Sequence, residues 1–203
     1  MIIHNWEIST VTNWDETAII TPKQTHGNTI ISVSDCISGI TEADAIYGDA
    51  RSKPFGILTA DCVPLVLITD IHAYAIHISR HTIVAGIVEN IEKIIANKKE
   101  KIVTAYIGPH ICKNCFAFEY IGEDLQRLIN NYPNAVFKKQ SKTHLDLDKV
   151  IQDFLEEQDI LEKNITRDMR CTFETPELYS YKRWLTEGNM GKFPNMLTVV
   201  RRA

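Results

Sequence analysis

The stretch "FGILTADCVPLVLITD", residues 55–70, joins two apolar runs, 55–60 and 63–68, through Asp61-Cys62. Each run is short and β-prone, and neither alternates with polar residues, which is the pattern of a fully buried strand. Pro64 fits the opening of the second strand, where a missing backbone N–H costs least. A carboxylate and a thiol at such a joint have two readings. A buried cysteine is usually an inert small hydrophobe. A cysteine held at a strand end can instead present its sulfur for chemistry.

Upstream, "ETAIITP" (16–22) and "NTIISVSD" (28–35) read as strands around the turn "KQTHG" (23–27), and "EADAIYGD" (42–49) as a further short strand. Downstream, "AYAIHIS" (73–79) is another strand, after which the period changes. Ile83, Ile87, Ile91 and Ile95 recur at helical spacing, with Thr82 as N-cap and an end near Asn97. "KIVTAYIGP" returns to strand. "GEDLQRLINNY" reads as a helix closed by Pro133, "AVFKK" as a strand, and "DLDKVIQDFLEEQ" as an amphipathic helix burying Leu147, Val150, Ile151, Phe154 and Leu155. "NITRDMRC" is expected as a strand, "PELYSYKRW" as a helix with Pro176 in its first turn, and "NMLTVVRR" as a closing strand packed inside the main sheet. No repeat, low-complexity tract or linker divides the 203 residues, so the expectation is one mixed α/β (α+β) domain spanning 1–203.

Composition excludes several classes. The net charge is −4, from 22 basic and 26 acidic residues, and the basic pairs Lys98-Lys99, Lys138-Lys139 and Arg201-Arg202 are short and scattered, which argues against nucleic acid or an anionic membrane as partner. The first residues lack a secretory pattern, and no apolar run is long enough to span a bilayer. Five cysteines, an odd number, do not suggest a disulfide framework. The expectation is a cytoplasmic protein with free thiols, taken as a monomer or homodimer.

Three polar residues stand out by context: His26 in the turn "QTHG", Cys62 between two buried strands, and His77 on an apolar strand. A thiolate and two imidazoles suit zinc, and three protein ligands leave the open position of a catalytic site. Their separations, 36 and 15 residues, match no short metal motif. "CKNC" (112–115) is a second thiol pair. A zinc ribbon needs a partner pair, and no second C-x-x-C exists, so the reading is a loop with two reduced thiols and no shared function.

"KQTHG", "EADAI", "TADCVPLVL", "IGP", "LDL", "CT" and "YSYKR" occur here in this order, and together they resemble the bacterial laccase-domain family. That family was first described as multicopper polyphenol oxidoreductase and later as purine nucleoside phosphorylase and adenosine deaminase. The resemblance runs from about Ile19 to about Val200. It implies a layered sandwich of mixed sheets flanked by helices. It further implies that His26, Cys62 and His77 bind one zinc and form the catalytic centre, where activated water or phosphate attacks a purine nucleoside. Copper is an alternative metal, but a multicopper oxidase needs more histidines than these seven can supply.

Asp61, Glu119 and His110 are candidates for protonating the leaving purine. Arg80, His81 and Lys182, with His110, are candidates for meeting phosphate or the polar end of the nucleoside. Here the chain departs from the family. An "HAGWRG"-type motif is "HISRHT" (77–82), which keeps the histidine but not the arginine at its place, and "SYRR" is "SYKR" (180–183), with Lys182 for a bidentate arginine. Two other functions fit the same residues: a Cys–His thiol hydrolase or amidase of cell-wall-editing type, with Cys62 as nucleophile and His77 as base, and a non-enzymatic binding protein with an eroded site.

Overall fold

The structure is a computed structural model and describes residues 1–3, 5–15 and 17–203. His4, and Glu16 at the start of the expected strand 16–22, lie outside the described residues. Among the described residues the strands are, in chain order, β1 (Ile2–Ile3), β2 (Trp6–Val11), β3 (Ile30–Ser32), β4 (Ala45–Gly48), β5 (Phe55–Thr59), β6 (Val63–Thr69), β7 (Ala73–Ile78), β8 (Ile102–Ile107), β9 (Ala117–Phe118), β10 (Val136–Lys139), β11 (Lys142–Leu145), β12 (Ile165–Arg167) and β13 (Met196–Arg202). The helices are α1 (Arg80–Val84), α2 (Ile87–Lys98), α3 (Glu123–Asn131), α4 (Leu147–Glu157) and α5 (Tyr181–Thr186).

The apolar runs on either side of Asp61-Cys62 are strands, but they belong to different sheets. β6 lies inside a six-stranded mixed sheet of order β12-β8-β6-β7-β4-β3, whereas β5 is the edge of a four-stranded antiparallel sheet of order β1-β2-β13-β5. All seven residues of β6 are buried, because both its faces are covered. Val63, Leu65 and Leu67 face a core built with Ile87 and Ile91 of α2 and Val150, Ile151 and Phe154 of α4. Val66 and Ile68 face the opposite way, onto Ile8, Phe55, Ile57 and Val200 of the four-stranded sheet. Burying each such side chain contributes about 1.5–3 kcal/mol, which makes this strand the axis of the fold. The result is a three-layer single α+β domain: helices, six-stranded sheet, four-stranded sheet. A small antiparallel sheet, β10-β11-β9, closes the helical side.

Several local expectations change. The helix expected over 82–97 is two helices, broken at Gly86 (φ +90°). Its N-cap is Ser79, whose hydroxyl accepts from the Thr82 amide while Thr82 reaches back to the Ser79 amide, so Thr82 completes a capping box rather than starting the helix. Of the strand expected over 16–22, the described residues 17–22 form an isolated bridge at Ile20 to Phe55 instead. Pro176 precedes α5, which starts at Tyr181 behind a Ser180 cap. The strand expected over 164–171 shortens to β12. β13 is interior, between β2 and β5, but in the four-stranded rather than the larger sheet. Gly108 of "IGP" is required by packing: a Cβ there would lie 2.6 Å from Pro64 Cγ, while its amide donates to the Pro64 carbonyl at 2.9 Å.

Candidate metal and nucleoside site

Strand parity brings His77 to the site. Ala73, Ala75 and His77 share the face of β7 that looks toward the four-stranded sheet, and His77 stands at the strand's end, only 3% exposed. β6 pairs with β7 so that Pro64 is opposite His77, which sets Cys62 just beyond the last pair. His26 arrives from the turn before β3. Ligand atoms of His26, Cys62 and His77 lie within 4.8 Å of one another, and the two imidazole rings meet edge to face at 4.8 Å between centroids.

Asp44, fully buried ahead of β4, organises both histidines. Its carboxylate accepts the backbone amides of Thr25, His26 and Gly27 at 3.2, 3.1 and 2.7 Å, which folds the "QTHG" turn around one charge. The same carboxylate takes His77 Nδ1 at 2.8 Å, leaving Nε2 for the site. A carboxylate behind a ligating histidine fixes its tautomer and raises its basicity. His26 itself sits at φ +60°, a left-handed conformation uncommon outside glycine and sustained here by those amide bonds.

Asp61 has the corresponding role for Cys62. It is held at φ +85° and grips two distant segments: it accepts from the Thr172 hydroxyl at 2.6 Å and from the Lys182 amide at 2.7 Å. Its carbonyl accepts from the Ile111 amide at 3.0 Å. The turn between β5 and β6 is thereby locked, with the half-buried sulfur of Cys62 aimed at the histidines.

Electrostatics follow from this geometry. Burial opposes a Cys62 thiolate, but the His77 charge and hydrogen bonds from both histidines outweigh it and bring the thiol down to about 7. Burial likewise opposes an imidazolium at His77, and the Cys62 thiolate and Asp44 raise it to about 9. Asp44 stays below the usual carboxylate range: burial works against its charge, and the His77 bond and the turn amides prevail.

The three residues form part of the wall of a cavity of about 930 Å³, with Trp14, Tyr181 and Phe193 among its aromatic side chains. Gln24 is locked on its rim, its amide exchanging bonds of 2.8 and 2.7 Å with the backbone of Leu58. Thr59, 2% exposed, also lines the cavity, and its hydroxyl has no protein partner. An unpaired buried hydroxyl costs about 1–3 kcal/mol.

The remaining candidates fall elsewhere. Arg80 opens α1 with its guanidinium 5.1 Å from the Phe118 ring and Nη2 3.0 Å from His81 Nε2. His81 is exposed, its ring 5.8 Å from that of His26 and its Nδ1 2.8 Å from Asp124. The Lys182 ammonium donates to the Cys115 carbonyl, and Arg183 spreads over the carbonyls of Thr172, Phe173, Thr175 and Leu178. His110 Nδ1 donates to the Gly108 carbonyl at 2.9 Å, and exposed Glu119 pairs with Lys142 at 3.2 Å. None of the candidates Arg80, His81, His110, Glu119, Lys182 and Asp61 is among the residues that line the large cavity.

Two features lie outside the sequence expectations. Asp44 was legible as a lone carboxylate opening an apolar strand within "EADAI". The second concerns "CKNC": Cys112 and Cys115 are not isolated, because Cys171 and Glu174 stand with them, all ligand atoms within 4.8 Å. The partner pair is "CTFE" (171–174), a C-x-x-E rather than a C-x-x-C.

The chain is similar to several known proteins. A purine nucleoside phosphorylase of Aquifex aeolicus is 27% identical over 172 residues, covering 85% of this chain and 80% of the relative. One from Clostridium acetobutylicum is 30% identical over 176 residues, covering 79% and 69%. Among solved structures, the hypothetical protein YfiH of Bacillus licheniformis superposes with a TM-score of 0.76 at 21% identity (93% of this chain, 76% of that one), and YlmD from Geobacillus stearothermophilus with 0.74 at 19% (91% and 73%). These likenesses show the shared fold. The profile of the family described as multi-copper polyphenol oxidoreductase laccase matches residues 3–200, nearly the whole chain that carries the His26–Cys62–His77 centre, and the chain belongs to that family.

Proposed function

We propose that this chain is a zinc-dependent purine nucleoside phosphorylase with adenosine deamination as a companion activity. The observation that carries the reading is the convergence of His26, Cys62 and His77 on the wall of an aromatic-lined cavity. The donor set fits zinc: two imidazoles and a thiolate, one histidine backed by a carboxylate, and a fourth side facing the cavity. When bound, the ion supplies a Lewis acid at neutral pH. The relatives' names support a purine nucleoside as substrate.

The chain's own residues divide the work. Trp14, Tyr181 and Phe193 offer flat apolar faces to a purine. Asp44 and Asp61 are positioning residues, the first for the histidines and the second for Cys62. His81, its ring 5.8 Å from that of His26, and Arg80 bonded to it are the groups assigned to phosphate. In phosphorolysis a phosphate oxygen bonds to C1′ of the ribose, the C1′–N9 bond breaks, and the purine leaves with the electron pair and takes up a proton. The test is a nucleoside panel with chromatographic detection of free bases, run with and without phosphate. Phosphate-dependent release of hypoxanthine or adenine supports the reading, and no release at saturating phosphate ends it.

One observation favours a second reading. Asp44, His77 and Cys62 form a carboxylate–imidazole–thiolate series with the thiol brought to about 7, which is the arrangement of a thiol hydrolase. A chelator distinguishes the two. Nucleoside turnover through a metal stops on chelation and returns with zinc. Amide hydrolysis by Cys62 survives chelation and is abolished by alkylation.

A further inference from the structure

We propose a second zinc site, structural rather than catalytic, formed by Cys112, Cys115, Cys171 and Glu174. It does not depend on the function assigned to the first centre.

Two short turns build it, each carrying ligands at the first and fourth positions. In "CKNC" the amides of Cys115 and Phe116 donate to the Cys112 carbonyl at 2.9 and 3.0 Å. In "CTFE" the amides of Glu174 and Thr175 donate to the Cys171 carbonyl at 3.2 and 2.9 Å. The repeated bonding curls both segments alike, so each presents its two ligands on one side. The turns face each other because His110 and Cys171 form a parallel bridge, with the Thr172 amide on the His110 carbonyl at 3.0 Å.

The four ligand atoms lie within 4.8 Å of one another, with Glu174 oxygens 3.4 Å from Cys115 Sγ and 4.0 Å from Cys112 Sγ. A tetrahedral zinc with sulfur ligands at about 2.3 Å separates them by about 3.8 Å, so small side-chain movements close the site. Four protein ligands leave no open position, which is the mark of a structural site. Softness also favours zinc over magnesium or calcium, since three of the four donors are thiolates.

The surroundings fit a bound cation. The Cys171 sulfur receives the Cys112 amide at 3.3 Å, and the amides of Glu174 and Phe173 also favour its charged form. Three thiolates and a carboxylate around a divalent ion leave two net negative charges, and the Lys182 ammonium sits on the Cys115 carbonyl. Without a cation the cluster is poor at redox or nucleophilic work: burial and the neighbouring Cys112 push the Cys115 thiol far up, and burial raises Cys171. A coordinated metal deprotonates such thiols outright. The site would staple the segment after β8 to the segment that presents Thr172 to Asp61.

The experiment uses the full chain purified anaerobically with zinc and measures metal per chain by mass spectrometry. In Cys62→Ala, which disables the first centre, about one zinc should remain, and adding Cys115→Ser should remove it. Cobalt(II) loaded into Cys62→Ala should show thiolate charge-transfer bands and strong visible bands of a tetrahedral ion, both lost with Cys115→Ser. If Cys115→Ser does not fold, exposed Glu174→Gln serves instead and should weaken zinc at least tenfold against a chromophoric chelator, while Glu174→Cys should tighten it. The proposal is overturned by zinc at background in folded Cys62→Ala with no cobalt charge transfer, by an affinity unchanged in Glu174→Gln, or by a Cys112–Cys115 disulfide in the zinc-supplemented protein.

Discussion

Cys62 and Cys115 both lie in the loop that follows a strand, three residues beyond β5 and eight beyond β8, yet their environments shift them in opposite directions. Cys62 has two imidazoles beside it, which bring its thiol to about 7. Cys115 has two thiols and a carboxylate beside it, and its thiol is pushed up. The first cluster offers three ligands and opens on a cavity; the second offers four and is assembled from two loop turns. On the two proposals, chemistry belongs to the cluster with imidazole partners and an open side, and cross-linking to the cluster without them.

The sharpest way to break this comparison is to remove one sulfur at a time. Cys62→Ala should lower nucleoside turnover by more than about 100-fold, beyond what loss of a supporting residue costs, with little change in melting temperature. Cys115→Ser should do the reverse, lowering the melting temperature by at least about 5 °C with a smaller effect on turnover per folded molecule. Calorimetry and a base-release assay on the same preparations check both. A Cys62→Ala variant that keeps its activity would dissolve the distinction.

Next in size is Asp44→Asn. The substitution weakens the partner of His77 and removes the charge that gathers the Thr25, His26 and Gly27 amides. Zinc affinity of the first centre, read in the Cys115→Ser background, should fall about 10–100-fold. Zinc at the second cluster, read in the Cys62→Ala background, should not change, and a parallel loss there would mean that the two clusters are not separate.

The pH dependence of alkylation sharpens the electrostatic contrast. In metal-free protein Cys62 should react faster as pH rises through about 7, because only the thiolate attacks. Between about pH 7 and about pH 9 the thiolate coexists with the His77 imidazolium; above about 9 the imidazolium is lost. Cys115 should stay slow through this range, since its thiol is raised. His77→Gln should move the Cys62 midpoint up toward the ordinary value of about 8.5. Peptide mass mapping after timed iodoacetamide pulses reads both thiols at once.

The smallest effect expected concerns phosphate. Arg80→Ala should raise the phosphate KM a few-fold, about equally from pH 6 to 8, because a guanidinium does not titrate there. His81→Ala should likewise raise it, by less, because His81 is exposed and already bonded to Asp124. If neither changes KM while phosphorolysis is real, another residue meets the phosphate.

Much of the architecture was legible along the chain. The buried strands around Asp61-Cys62, the amphipathic face of α4 and the isoleucine spacing of α2 all announce themselves through hydrophobic period. The candidate centre was legible only as three oddly placed residues and as a resemblance, because separations of 36 and 15 residues carry no local geometry. Helix boundaries were less readable. Ser79 outcompetes Thr82 as cap because the capping box uses both hydroxyls, and Gly86 breaks the helix by its backbone angle rather than by polarity.

By itself, then, the sequence determined which segments must be buried, which residues are chemically able to bind a metal, and that no strong charge directs the chain to nucleic acid. Tertiary structure decided the rest, because it depends on contacts between distant positions. Only the pairing of β5 with β13 and of β6 with β7 and β8 shows that the two apolar runs part into different sheets at Asp61. Only the folded chain shows Asp44 serving two histidines at once, and Asp61 held by Thr172, 111 residues away. The partner of "CKNC" was hidden for the same reason: its fourth ligand is a glutamate, exposed and ordinary in sequence, and three-dimensional convergence alone distinguishes it from the chain's other carboxylates.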